Sequence, residues 1–136
     1  MSKFIFYLPD GGKITKIVEC NSDDVEINID VGEKTLEVST DFDVSDMTHY
    51  VDDVSAQVLR KEILQGEDEI SSSVGELKVI PLPEMCRVNI DGESSDEFEV
   101  DDGALELEFL APGEYFIRFE MTHYIKPEVT VHVKED

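Results

Sequence analysis

The sequence predicts a mainly β protein: a small N-terminal β-rich unit followed by an antiparallel sandwich. Three observations carry that expectation. Six short runs of alternating apolar and polar residues follow one another between residues 77 and 133. Turn residues separate them, the pattern of a sandwich rather than of a βαβ unit. Finally, Pro81, Pro83, Pro112 and Pro127 all fall between the runs, where a missing N–H removes no ladder hydrogen bond.

Taken in order, residues 3–8 are aromatic and β-branched, Pro9-Asp10-Gly11-Gly12 is a turn, and residues 13–20 resume as a strand, giving a first hairpin. Val25, Ile27, Ile29 and Val31 alternate with Glu26, Asn28 and Asp30. That is the period of a strand, although Ser22 followed by acids also suits a helix start. A Gly32-Glu33 loop would set Ile29 opposite Leu36 and Ile27 opposite Val38, so strand is the preferred reading. A short strand is expected at 48–51. Residues 54–65 fit helix and strand equally, because Val54, Val58 and Ile63 approach helical spacing while Val54, Ala56 and Val58 alternate. Residues 66–75 (GEDEISSSVG) are small, polar and charged, the composition of a linker. The expected organisation is therefore a docking unit at 1–65, a linker at 66–75 and a sandwich at 76–136.

The clearest local pattern lies at 96–109. With Asp102-Gly103 as a two-residue loop, Val100 faces Leu105 and Phe98 faces Leu107, while Glu99 opposes Glu106 and Glu97 opposes Glu108. One face of this ribbon is apolar and the other sets acid against acid. Like charges directly opposite destabilise a sheet. They are offset either by water, salt and nearby cations, or by a basic surface on a partner. Glu97, Glu99, Glu106 and Glu108 are accordingly the candidate partner-binding residues.

Composition points the same way. Against 33 acids stand 11 lysines and arginines, for a net charge of −22. Such a surface repels nucleic-acid phosphates and anionic membranes and favours solubility or a basic partner, a solvated acidic surface being the plainer reading. The N-terminus lacks the apolar run and cleavage site of a signal peptide, and no stretch is long enough to span a bilayer as a helix. Cys20 and Cys86 are the only cysteines. They fit an intracellular history better than a disulfide framework, and a bridge between them would require the two halves to pack closely.

Catalytic signatures are absent from the sequence: no Gly-rich phosphate loop, nucleophile elbow, HExxH motif or Cys–His pairing. A non-enzymatic protein without a cofactor is expected. Asp41, Asp43, Ser45 and Asp52 fall on EF-hand-like spacing, but Asp46 stands where the loop needs Gly and Asp52 where it needs Glu. An EF-hand is excluded, and a loosely held calcium ion in a β-loop is the residual reading. His49, His123 and His132 are too scattered for a metal site. The repeated MTHY at 47–50 and 121–124 has no matching flanks, so it is not a duplication.

Several segments resemble small structural proteins of tailed bacteriophages. FYLPDGGKI and the THYVD of residues 48–52 are similar to the opening unit of that family. PLPEMCRVNIDG at 81–92, DDGALELEF at 101–109 and PGEYFIRFE at 112–120 are similar to its Ig-like or transthyretin-like module. The resemblance implies a virion component of the minor tail, neck or capsid surface, made in the host cytoplasm and present in several copies. It would dock on other virion proteins with basic surfaces and avoid DNA and membrane. Competing expectations are a tail-fibre assembly chaperone, an acidic DNA mimic and a calcium-dependent adhesion module.

Overall fold

The computed structural model describes residues 1–92 and 94–135. It is mainly β, built from several antiparallel sheets. The chain divides into two compact units, Met1–Glu62 and Ile63–Asp136.

In the first unit, β1 (Ser2–Tyr7) is the centre of a three-stranded sheet, flanked by β2 (Ile14–Cys20) and β3 (Lys34–Val38), both antiparallel to it. The expected first hairpin is present, with Ile5 opposite Ile17. Phe4 to Tyr7 are buried without interruption because both faces of the sheet are covered. Ile5 and Tyr7 pack with Ile14, Val44 and Val51 on one side, and Phe4 and Phe6 with Val25 on the other. β4 (His49–Asp52) and β5 (Gln57–Arg60) form a second hairpin, so the ambiguous 54–65 stretch is turn and strand rather than helix.

The strand expected at 25–31 is corrected. Residues Ser22–Asp24 and Glu26–Asn28 form 3-10 turns, closed by Asp24 N–H to Asn21 O and Asn28 N–H to Val25 O. Val25 is the one apolar side chain of this segment that is buried, while Ile27 is 82% and Val31 fully exposed. The predicted pairing of Ile27 and Ile29 with β3 is therefore not formed. β3 pairs with β1 instead, Leu36 lying opposite Ile5.

The division falls within β6 (Glu62–Ile63). Beyond it, the linker expected at 66–75 is also corrected. It contains β7 (Glu69–Ser73), which pairs in parallel with β14 (Val129–Lys134), Val131 opposite Ile70. Ser72 is buried there, so a polar sequence hides a structural strand.

Between them lie β8 (Leu77–Pro81), β9 (Cys86–Asp91), β10 (Ser95–Val100), β11 (Ala104–Glu108), β12 (Gly113–Glu120) and β13 (Tyr124–Ile125). One sheet runs β10-β9-β12-β14-β7 and a two-stranded ribbon runs β11-β8. Their inner faces share one apolar core containing Cys86, Val88, Ile117, Val129 and Val131 from the sheet and Ile80, Leu105 and Leu107 from the ribbon.

This layering overturns the hairpin expected at 96–109. β10 pairs with β9 and β11 with β8, so the two strands belong to different sheets. Asp101–Gly103 turns the chain between layers, with Gly103 at φ +87°. Val100, Leu105 and Leu107 still point inward, because both strands feed the same core. Tyr115 fixes the next corner: its hydroxyl donates to the Ala111 carbonyl at 2.8 Å. Its ring lies against Phe109, centroids 4.2 Å apart.

Candidate protein-interaction surface

The four expected glutamates are all exposed, but the structure splits them into two pairs. Glu97 lies opposite Asn89 and Glu99 opposite Arg87, on the outward face of the five-stranded sheet. Glu106 lies opposite Val79 and Glu108 opposite Leu77, on the outward face of the ribbon. No acid faces acid as the hairpin register required, because β10 and β11 have different partners.

The two environments differ electrostatically. Arg87 ion-pairs with Glu97, and Arg118, two strands from the edge, ion-pairs with Asp91. The Ser95 hydroxyl and then Arg118 hold the Asp91 carboxyl below the usual carboxylate range. His132 sits between Glu114 at 3.3 Å and Glu69 at 3.7 Å. Arg87 and Arg118 thus neutralise only part of this acidic sheet face, and exposed pairs of this kind contribute only about 0–1 kcal/mol each.

On the ribbon, no cation pairs with Glu106 or Glu108 among the described residues. Leu77 and Val79 stand beside them, 58% and 55% exposed. Acid and exposed aliphatic side chains alternate across the two strands. Sequence reasoning missed Leu77 and Val79. The run Leu77-Lys78-Val79-Ile80 gives no sign of which side faces in, and the structure buries Ile80.

Other chemistry-bearing side chains serve the fold. Glu84 accepts from the Thr122 and His123 backbone N–H groups at 2.9 and 3.3 Å and contacts His123 Nδ1 at 2.7 Å. It ties the loop before β9 to the turn before β13. Cys86 is fully buried, and burial pushes its thiol up, away from the reactive thiolate. Both cysteines are free, so the Cys20–Cys86 bridge is not formed. His49 is buried and its ring is held below the usual imidazole range, first by desolvation and then by Arg60. In the first unit, Thr15 and Lys16 contact Glu33, which also accepts from Asp30 N–H at 2.7 Å.

Among the described residues, no three His, Cys, Asp or Glu side chains gather in a metal-holding arrangement. No helix among those residues is long and apolar enough to cross a membrane. Compared with known proteins, the chain matches no protein-family model, no curated protein and no solved structure.

Proposed function

We propose that this chain is a non-enzymatic structural component of a tailed-phage particle, at the minor tail, neck or capsid surface, acting through protein–protein contacts. The observation that carries an interaction role is the ribbon face, where exposed Leu77 and Val79 alternate with the unpaired Glu106 and Glu108. Water-exposed aliphatic side chains gain from being covered, at about 25 cal/mol per Å² of apolar surface removed from water. Unpaired carboxylates beside them select a partner presenting lysine or arginine. The phage setting rests on the sequence resemblance alone. Two sheets on one core, and a tyrosine hydroxyl bonded back to the backbone at a corner, are compatible with an Ig-like or transthyretin-like module.

Mass spectrometry of purified particles tests the proposal. The chain should be present at fixed stoichiometry, and Leu77→Asp with Val79→Asp should abolish its incorporation while leaving the isolated protein folded. Absence of the wild-type chain from particles rejects a virion role. Recovery with fibre protein from infected cells, combined with that absence, would support the assembly chaperone instead. A DNA mimic is less well supported, because Arg87 and Asn89 face one acidic pair and Leu77 and Val79 the other.

A further inference from the structure

We propose that the free edge of β10 accepts an added β-strand from a basic partner protein. The inference is separate from the virion reading and concerns the edge of β10, although the cleft beside that edge shares Glu106 with the ribbon face. β10 ends the order β10-β9-β12-β14-β7, so among the described residues β9 is its one strand neighbour. Every second residue of an edge strand turns its N–H and C=O outward, ready to pair. Natural edges are shielded by brevity, proline, charge or a covering loop, and β10 has six residues without proline. Its shielding is acidic, from Asp96, Glu97 and Glu99, which repels another acidic edge but not a basic strand.

Side chains indicate what fits there. Ser95 to Glu99 are exposed in an unbroken run. Phe98 belongs to the inward-facing set, opposite the fully buried Val88, yet remains 38% exposed because no strand lies beyond it. Next to it lies an open cleft of about 210 Å³, lined by Phe98, Val100, Ala104 and Leu105 together with the acids Glu99, Asp101, Asp102 and Glu106. That volume is below the roughly 300 Å³ at which small-molecule pockets begin.

Charge decides between occupants. A second copy pairing edge to edge would bring Glu97 and Glu99 against the same acidic strand, which is destabilising. A strand alternating basic and apolar residues meets both faces at once. Its cations stand beside Glu99 and beside Glu97, which Arg87 only partly neutralises, and its apolar residues cover Phe98. Backbone pairing supplies the affinity and side-chain alternation the selectivity, as in other cases of strand addition.

The test uses the intact chain and a fluorescein-labelled heptapeptide alternating lysine and valine. Two control peptides are the same sequence N-methylated at alternate amides and a block-scrambled version. Binding is read by anisotropy, and the site by amide hydrogen exchange. The alternating peptide should bind and slow exchange at alternate amides of β10. Methylation, scrambling or the exposed-site double variant Glu97→Lys with Glu99→Lys should each weaken it by roughly tenfold or more. Equal affinity for the methylated peptide would reduce the effect to bulk charge and overturn the proposal. So would protection confined to β7 or β8, the absence of binding, or sedimentation showing that β10 is already occupied by a second copy. Presence or absence in virions changes none of these readings.

Discussion

Replacing Gly12 by alanine should destabilise the first unit far more than the same change at its neighbour Gly11. Both glycines lie in the turn between β1 and β2, at φ +81° and +88°, where an L side chain is strained. That strain amounts to about 1–2 kcal/mol at either site. Beyond it the sites diverge. A Cβ on Gly11 would meet nothing within 4 Å, whereas one on Gly12 would lie 1.8 Å from the Val51 carbonyl oxygen and 2.9 Å from its carbon. Backbone cannot yield as a flexible side chain does, so β4 has to move away. The hydrogen bond from Val51 N–H to Gly12 O, now 2.9 Å, is then lost. Its loss adds about 1 kcal/mol. Val51, 1% exposed and packed on Ile5 and Tyr7, is partly uncovered at a cost of about 1–2 kcal/mol more. The total is about 3–5 kcal/mol for Gly12→Ala against about 1–2 kcal/mol for Gly11→Ala. Urea unfolding followed by circular dichroism and tyrosine fluorescence measures both, and amide exchange at Val51 reports the hydrogen bond directly. If the two variants agree within about 0.5 kcal/mol, the close approach of β4 to the turn is refuted.

Five further outcomes are expected. Ile117→Ala, at a fully buried site in the second core, should destabilise by about 2–5 kcal/mol in the same urea assay. Tyr115→Phe keeps the ring against Phe109 but removes the donor to Ala111, and should lose about 0.5–1.5 kcal/mol. Tyr7 donates to Asp53 at 2.8 Å, and burial, then that bond, pushes its hydroxyl up to about 12. Stability from neutral Tyr7 is whole below pH 10 and is lost as pH rises toward 12, so tyrosinate absorbance should show one late-ionising tyrosine that Asp53→Ala returns toward 10. The Asp53 and Glu33 carboxyls are depressed, mainly by Tyr7 and Thr15 respectively. Their contribution is present above the ordinary carboxylate range and falls away as acid protonates them, which thermal melts between pH 5 and 2 should register. Arg87→Ala should cost less than about 1 kcal/mol yet make stability more dependent on salt, since Glu97 loses its ion pair and Glu99 the cation opposite it in the ladder.

Strand positions were legible in the sequence, whereas strand partners were not. Alternation at Arg87–Ile90, Ala104–Phe109 and Tyr115–Met121 marks each run because one side of every strand meets a core. Asp101-Asp102-Gly103, however, serves equally as a hairpin turn and as a corner between layers. Val100 and Leu105 are buried in either case, so burial pattern alone cannot separate the two. The acidic pairs were thus identified as exposed, but their neighbours Arg87, Val79 and Leu77 depend on a pairing that short-range pattern does not encode. Residues 25–31 mislead for the opposite reason. Their period matches a strand, yet Asn21, Asp24 and Asn28 favour tight local turns, with Asn28 Nδ2 donating to the Asp24 carbonyl at 2.9 Å. Serine-rich β7 lacks β-branched residues apart from Ile70 and is held in place by β14 rather than by its own propensity.

That parallel pairing also orders events during synthesis. The β1–β2–β3 sheet is complete once Val38 has left the ribosome, and each of its pairings is between strands near in the chain. Glu69, by contrast, waits for Thr130. Until the last strand emerges, β7 has no partner and β12 lacks one of its two neighbours, so the second sheet cannot close while the chain is being translated through its middle. Pairings this distant also slow folding after release. A nascent chain stalled before Val129 should therefore resist protease in its first unit and be cut in its second.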